Sequence, residues 1–229
     1  MNVELNLTAR EDVPLWLVYG TPVFTVAAAL AVGALALSIV GVDPVAAYSV
    51  LFIDTLTTRV GTTETLVKTV PLVLTGLAVY LPLKAGLFNI GAEGQLLAGA
   101  LAGTWLGLNV SWPLLARVPA MLVVSAVAGG LWAWIPAWLR ARWNVNEIIT
   151  SLLLTFVAID IQNYLLRGPM QSDQGNFPQT KLFSQAATIP DVYNGVHAGI
   201  VIAVVFAVLT HLLMSKTRLG FAITFVGSN

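Results

Sequence analysis

Cysteine is absent from this 229-residue sequence. Its absence excludes disulfide bonds and metal sites built on thiolates. Histidine is nearly absent as well, because only His197 and His211 occur. These two are too far apart in the sequence to bind zinc from one turn of a helix. We therefore expect no metal site and no redox chemistry of thiols.

Charged residues are also scarce. Asp, Glu, Lys and Arg make up 10% of the chain, whereas a soluble domain averages about 25%. Hydrophobic residues make up 57%, and the mean hydropathy is +0.83. This composition excludes an ordinary soluble fold. The formal net charge is zero, so nothing indicates a nucleic-acid partner.

Three signatures of catalysis are missing from the sequence. It has no Gly-x-x-x-x-Gly-Lys-Ser/Thr loop for nucleotide phosphates, no Gly-x-Ser-x-Gly nucleophile turn and no His-Glu-x-x-His zinc helix. ATP hydrolysis through a P-loop is therefore excluded for these residues. We predict a protein that is not an enzyme and has no catalytic residues.

The hydropathy pattern predicts an all-α, polytopic transmembrane helix bundle of about six spans. A membrane helix needs about 20 largely apolar residues. We place the spans at residues 14–40, 66–83, a glycine-rich segment continuing to 108, 118–139, 147–166 and 196–214. Longer loops are predicted at 41–65 and 167–195. The prediction is a single transmembrane domain over residues 1–229.

The first apolar stretch differs from a cleaved signal peptide. It is uncharged from Val13 to Val42, whereas the apolar region of a signal peptide is about 7–15 residues long. We therefore interpret it as a retained first span.

Lys and Arg predict the orientation in the membrane, since cytoplasmic loops are enriched in them. With a cytoplasmic N-terminus, the inner segments are short and hold Arg10, Lys84, Arg140, Arg142, Lys216 and Arg218. The cations assigned outside are spread over longer segments: Arg59, Lys68, Arg117, Arg167 and Lys181. The prediction is a multi-pass protein of the cell membrane with its N-terminus inside.

The most informative segment is residues 84–99, where Asn89, Glu93 and Gln95 lie among four glycines. Polar groups at membrane depth usually face a bundle interior, a cavity or a translocation path. The glycines allow close helix contacts or a break in a helix. One interpretation of these polar residues is that they contact a polar solute. The other is structural, with Asn89 capping a helix and Glu93 pairing with Lys84 or a partner helix.

Two more polar groups flank the predicted fifth span. Asn146 and Glu147 precede it and are typical of a capped helix start. Asp160 and Asn163 lie on one face near its outer end, where they form either a vestibule or a solvated helix end.

Residues 86–95, Gly-Leu-Phe-Asn-Ile-Gly-Ala-Glu-Gly-Gln, resemble a signature of permease subunits of ABC importers for simple sugars and nucleosides. Two later runs resemble the cytoplasmic coupling loop of the same family: residues 217–221, Thr-Arg-Leu-Gly-Phe, and 226–229, Val-Gly-Ser-Asn. The sequence departs from the usual loop at Thr224, where an arginine is common. The likeness extends from about Lys68 to the last residue.

The resemblance implies a complete system and roles within it. A second permease subunit, an ATP-binding cassette ATPase, an extracytoplasmic solute-binding protein and the lipid bilayer are the expected partners. ATP and Mg²⁺ bind the ATPase, and this chain binds no cofactor. The expected solute path consists of Phe88, Asn89, Glu93, Gln95, Glu147 and Thr150. The expected ATPase-coupling residues are Thr217, Arg218, Gly220, Gly227 and Asn229, with the glycines in turns.

Alternatives remain at this stage. The chain could be a secondary transporter or channel that works without ATP, which would use Glu93 or Asp160. Residues 217–229 could be a basic juxtamembrane tail. The resembled permeases have about ten spans, so we expect a C-terminally truncated chain, and a nonfunctional fragment stays open. The full motif slightly favours a nucleoside over a sugar.

Overall fold

The computed structural model describes residues 14–172 and 177–228. The helices are α1 (Leu15–Ile39), α2 (Pro44–Ser49), a π-helical turn (Val50–Asp54), α3 (Thr55–Thr57), α4 (Arg59–Lys84), α5 (Ala92–Asn109), α6 (Leu114–Trp143), α7 (Glu147–Arg167), a 3₁₀ turn (Gln185–Ala187), α8 (Gly199–Lys216) and α9 (Arg218–Gly227). A short antiparallel hairpin joins β1 (Asp191–Tyr193) to β2 (Val196–His197).

Five of these helices are long and apolar enough to cross a membrane: α1, α4, α6, α7 and α8. The prediction of an all-α membrane protein with several spans is thereby confirmed. The predicted third span forms as α5, whose 18 residues are as many as those of α8 but are not apolar enough to meet the same standard. Glu93, Gln95 and four glycines make α5 less apolar than the others. Such a helix suits a position between neighbours rather than one facing lipid.

The chain divides into two compact units, residues 1–62 and 63–229. In the first unit, the hydroxyl of Tyr48 donates a 2.6 Å hydrogen bond to the carbonyl oxygen of Leu30. This bond ties α2 to the middle of α1. The single domain over the whole chain stays a prediction.

The prediction of a loop at residues 41–65 is wrong, because most of these residues are helical. Asp43 caps α2, accepting a 2.9 Å hydrogen bond from the Val45 amide, and Pro44 occupies the first helical position. Asp before Pro is a strong start signal for a helix. Hydroxyl side chains in this stretch bond back to the helix, as Thr58 does to the Asp54 carbonyl at 2.6 Å.

The second unit is organised around α5, which packs against α6 and α7. One face of α5 presents glycine every four residues, at Gly99, Gly103 and Gly107. A Cβ atom at Gly99 would lie 2.8 Å from the carbonyl oxygen of Ser125, and one at Gly107 would lie 3.1 Å from the sulfur of Met121. Only glycine allows α5 and α6 to approach this closely.

A second glycine face of α5 meets α7. A Cβ atom at Gly91 would lie 2.9 Å from the Ser151 Cβ, and one at Gly94 would lie 2.9 Å from the Thr155 Cα. Ser151 and Thr155 are themselves buried. The expectation that these glycines bring neighbouring helices close is confirmed.

At one end of this unit, the connection between α7 and α8 folds over the helix ends. Arg117, at the start of α6, donates to the carbonyl of Gly107 and, at 3.0 Å, to the hydroxyl of Ser184. Thr63 on α4 donates a 3.0 Å hydrogen bond to the carbonyl of Asn194 in the hairpin turn. The predicted long connection is therefore present, with a 3₁₀ turn and a hairpin in it. Its residue Asp173 lies outside the described residues.

The sixth predicted span begins slightly later than expected, at Gly199, since Val196 and His197 belong to the hairpin. The Nδ1 atom of His197 accepts a 3.1 Å hydrogen bond from the Gly199 amide. His197 therefore marks the start of α8.

Candidate functional site

Helical structure is interrupted between α4 and α5, inside the glycine-rich segment. The Gly86 amide donates to the Leu83 carbonyl at 3.1 Å, and the Leu87 amide donates to the Pro82 carbonyl at 3.0 Å. Gly86 has φ +74°. These are the two bonds and the left-handed residue of a Schellman turn, in which glycine is favoured because it lacks Cβ. The predicted helix break is therefore present at residues 85–91.

Asn89 organises the segment after this turn. Its Oδ1 accepts hydrogen bonds from the Gly91 amide at 3.1 Å and the Gln95 Nε2 at 2.9 Å. Its Nδ2 donates to the Gln95 Oε1 at 3.1 Å and to the Ala78 carbonyl at 3.0 Å. The two side-chain amides thus form a reciprocal pair tied to α4. This geometry fits the structural reading of Asn89 as a residue that shapes the start of α5.

A second polar pair bridges the end of α6 and the start of α7. The Nε of Arg140 lies 3.4 Å from the Oε2 of Glu147, with side chains 41% and 17% exposed. Asn144 ends α6 with φ +53°, and Asn146 caps α7 by accepting hydrogen bonds from the Ile148 and Ile149 amides at 2.9 and 3.3 Å. The capped start predicted for α7 is therefore present, and it positions Glu147 opposite Arg140.

The two polar pairs lie in the wall of one cavity of about 510 Å³. Its wall is formed by Pro82, Leu87, Phe88, Asn89, Gln95, Ala133, Pro136, Ala137, Arg140, Ala141, Glu147 and Ser151. Most of these residues are apolar, and the polar groups converge from the turn after α4 and from α5, α6 and α7. Small-molecule sites are typically 300–1,000 Å³ with few polar groups in an apolar wall. The cavity can therefore hold a small polar molecule.

Four of the six residues predicted for a solute path line the cavity: Phe88, Asn89, Gln95 and Glu147. Thr150 lies outside its lining and bonds instead to the carbonyls of Asn146 and Glu147, at 3.0 and 3.3 Å. A hydroxyl one turn into a helix is often used this way.

Glu93 faces away from the cavity, into a gap between α4 and α5 that also contains Thr75 and Gly76. The suggested pairing of Glu93 with Lys84 is wrong, because no ion pair of Glu93 occurs within the described ranges. Lys84 instead places its Nζ 5.5 Å from the ring centre of Tyr80. The reason is helix phase, since Glu93 and Gln95 lie on different faces of α5.

The sequence interpretation missed Arg140 as a site residue and treated it as a topological charge. The wall formed by Ala133, Pro136, Ala137 and Arg140 was also missed. Their spacing of three and four residues places them on one face of α6. That spacing was a usable signal, but only alongside knowledge of which element lies opposite.

The proposed outer vestibule is only partly supported by the geometry. A groove at the end of α7 is lined by Asn163, Tyr164, Arg167 and Gly168. Asp160 is exposed and does not line it.

The predicted coupling segment forms α9, which leaves α8 at a sharp bend. Thr217 caps α9, because its Oγ1 accepts a 3.1 Å hydrogen bond from the Gly220 amide while donating to the Leu213 carbonyl at 2.6 Å. Gly220 is buried, and a Cβ there would lie 2.5 Å from the Cα of Met214. Arg218 is exposed, and Asn229 lies outside the described residues.

The prediction that Gly220 and Gly227 serve turns is wrong. Both lie within α9, and neither has a positive φ, a conformation that Gly86 does adopt. They allow close packing instead: Gly220 packs against the end of α8, and Gly227 against the turn after α4. The bend between α8 and α9 is made by Thr217 in an extended conformation, at φ −116° and ψ 156°.

Two sides of α9 carry exposed apolar side chains. Leu219, Phe221, Phe225 and Val226 are each more than 60% exposed. The rings of Phe221 and Phe225 stack with centres 6.1 Å apart. Clustered exposed apolar residues on a short helix mark an interaction surface.

Comparison with known proteins gives a consistent result. Residues 61–229 match the family model described as branched-chain amino acid transport system / permease component. The chain is 62% identical to a glucose ABC transporter permease of Haloferax volcanii, over 100% of this chain and 63% of the relative. It is 32% identical to a guanosine ABC transporter permease of Bacillus subtilis, over 91% of this chain and 61% of the relative.

A nucleoside ABC transporter permease of Lactococcus lactis is 30% identical, over 91% of this chain and 60% of the relative. The chain thus spans less than two thirds of the length of these relatives. No solved structure matches it.

Proposed function

Because the chain belongs to the family of transport-system permease components, we propose that it is the membrane subunit of an ABC importer. In this role it carries a small polar solute into the cell, and a separate ATPase subunit supplies the energy. The observation that carries the proposal is the cavity of about 510 Å³, with two polar pairs in an apolar wall. The names of the relatives, all ABC transporter permeases, support it.

The two polar pairs would make the cavity selective for polar solutes. Asn89 is hydrogen-bonded to Gln95, and Arg140 is paired with Glu147. A solute with several hydroxyls can exchange those bonds for its own. An apolar molecule offers no such bonds, so it gains nothing from these polar groups.

We propose a simple sugar as the solute, with a nucleoside as the second candidate. The relative with 62% identity is named for glucose, whereas those named for guanosine and nucleosides are 30–32% identical. The cavity supports the same order. Its one aromatic lining residue among those described is Phe88, so a base would find little stacking area, whereas amide, guanidinium and carboxylate groups suit hydroxyls.

We propose that α9 docks into a groove of the ATPase subunit. The exposed Phe221 and Phe225 supply an apolar contact of the kind that anchors protein interfaces, and Arg218 can meet acidic residues or lipid headgroups. ATP and Mg²⁺ are expected on that partner. An ATP-independent transporter or channel is less well supported, since Glu93 lies outside the cavity and Asp160 is exposed at the end of α7.

The proposed arrangement places α9, Lys84 and Arg140 on the cytoplasmic side, together with the N-terminus. The connection that contains Ser184 and the hairpin then faces the extracytoplasmic solute-binding protein. A second permease subunit completes the path. This orientation follows the density of Lys and Arg along the sequence.

The solute path is tested by thiol protection, for which a cysteine-free chain is well suited. Ala137→Cys places a thiol in the cavity wall, and Ala128→Cys places one on the same helix in a different groove. In the assembled importer, glucose during ATP turnover should slow maleimide labelling of the first variant and not of the second. Guanosine in place of glucose discriminates the two solute classes.

Equal labelling of both variants with either solute, in an importer that accumulates solute, would remove the cavity from the path. Protection by guanosine alone would reverse the order of the two candidates.

A further inference from the structure

The C-terminal end of α9 lies against the Schellman turn that ends α4. A Cβ atom built at Gly227 would lie 2.9 Å from the Gly86 amide nitrogen and 3.0 Å from the Ala85 carbonyl carbon. In the reverse direction, a Cβ at Gly86 would lie 3.5 Å from the Cα of Gly227. Two backbones that are far apart in the sequence therefore touch, and there is no room for a side chain at Gly227.

The turn on one side of this contact is rigid and leads directly into the cavity. Its two backbone hydrogen bonds and the left-handed Gly86 fix its shape. The next three residues, Leu87, Phe88 and Asn89, all line the cavity. A displacement of the turn therefore moves part of the cavity wall.

The other end of α9 is fixed as well. Thr217 is bonded to both the Gly220 amide and the Leu213 carbonyl, and Gly220 is buried against the end of α8. The helix is ten residues long. A short helix held at both ends transmits a push as a rigid body rather than absorbing it by bending.

We propose that the contact between Gly227 and the turn at Lys84–Gly86 transmits movement of α9 to the cavity wall. The inference rests on the proposed docking of α9 to the ATPase and adds where its movement is delivered inside the permease. Gly227 and Gly86 are positioning residues, because they act on the solute through Phe88 and Asn89. During the transport cycle, α9 and the turn move together.

The first test is Gly227→Ala in the assembled importer, with Gly130→Ala as the matched control. The added methyl group meets the Lys84 carbonyl at position 227, whereas nothing lies within 4 Å of a Cβ at Gly130. We expect Gly227→Ala to lower solute uptake at least about fivefold, the size of a typical coupling effect. ATPase co-purification and ATP hydrolysis should stay at the level of the control.

Uptake equal to that of the control would overturn the inference. Loss of ATPase co-purification in Gly227→Ala would also overturn it, because the residue would then act at the partner surface. The proposed function fails by a different result, in which the unaltered permease does not co-purify with an ATPase at all.

The second test does not depend on whether the protein still folds with a methyl group added at Gly227. Ala85→Cys and Ser228→Cys flank the contact in a chain with no other cysteine. If α9 and the turn move together, linking these thiols with a short bifunctional maleimide should leave uptake at the level of the unlinked double variant. If linking abolishes uptake, the two elements must separate during the cycle, and the inference is wrong.

Discussion

Arg117 and Arg140 lie near opposite ends of α6, and their side chains are held in opposite ways. Arg117 is only 7% exposed, no carboxylate among the described residues pairs with it, and it donates to the neutral oxygens of Gly107 and Ser184. The side chain of Arg140 is 41% exposed and pairs with Glu147 in the wall of the cavity.

The difference shows that the surroundings of an arginine on α6 determine whether it stabilises the fold or can exchange partners. A buried guanidinium that donates to neutral oxygens is costly to rearrange, because each lost hydrogen bond leaves a polar group unsatisfied. It suits a fixed connection. A partly exposed ion pair is worth little to stability and can exchange partners with water or a solute. It suits a surface whose contacts change, as the proposed transport requires.

The largest expected effect concerns the side of the membrane on which each arginine lies. The comparison fails if Arg117 and Arg140 face the same side. Ala141→Cys lies beside Arg140, and Ser172→Cys lies in the connection after α7, at the Arg117 end. An impermeant maleimide applied to intact cells should label Ser172→Cys and not Ala141→Cys. Permeabilised cells, in which both should react, are the control. Labelling of Ala141→Cys alone in intact cells would reverse the proposed orientation.

The next largest effect concerns stability at the Arg117 end. Arg117→Leu removes donors to two buried or half-buried oxygens, so we expect a loss of about 3 kcal/mol in unfolding free energy. Proteolysis within residues 177–198 should accelerate in detergent. Arg142→Leu, an exposed arginine on the same helix, is the matched control and should change stability by less than about 0.5 kcal/mol. Equal melting of the two variants would remove the proposed role of Arg117.

At the other end we expect the reverse pattern. Glu147→Gln keeps the shape of the side chain but removes the ion pair, so unfolding should change by less than about 1 kcal/mol. Uptake should fall about tenfold, which corresponds to about 1.4 kcal/mol. The control is Glu64→Gln, which breaks an exposed pair with Lys68 on α4. A stability loss that matches the uptake loss would indicate a structural role for Glu147 instead.

The smallest expected effect separates two neighbours on α7. Thr150→Ala loses a hydroxyl that bonds only to its own helix, so uptake should stay within about twofold of the unaltered protein. Ser151→Ala changes a residue that lines the cavity and packs beside Gly91. Uptake by the Ser151 variant should fall further than uptake by the Thr150 variant. The opposite ranking would return Thr150 to the solute path.

Much of the fold could be predicted because the signals are local. Long apolar runs predict α1, α4, α6, α7 and α8, and Gly86 with its neighbours predicts the break before α5. The start of α7 follows from Asn146, whose side chain caps it as the sequence indicated. These features depend on residues a few positions apart, which the sequence displays directly.

The site was predicted less completely because it depends on which faces meet. Asn89, Glu93 and Gln95 are close in sequence, but helix phase directs Glu93 into a different gap. Arg140 enters the cavity because α7 lies beside α6 at that point. The sequence spacing shows which residues share a face and not which element lies opposite. The helical region at 44–57 was missed for another reason, since it is shorter than the roughly 20 residues of a membrane span.

The glycine faces of α5 also restrict how this protein can change over generations. A leucine in a helix contact can be replaced by a smaller or a larger residue, so the contact can drift in either direction. At Gly91, Gly94, Gly99 and Gly103 every replacement adds atoms, so any drift can only push the helices apart. Accommodation must then come from the opposing helices, through loss of atoms at residues such as Ser125 or Ser151. Variation along α5 is therefore tied to paired changes on α6 and α7.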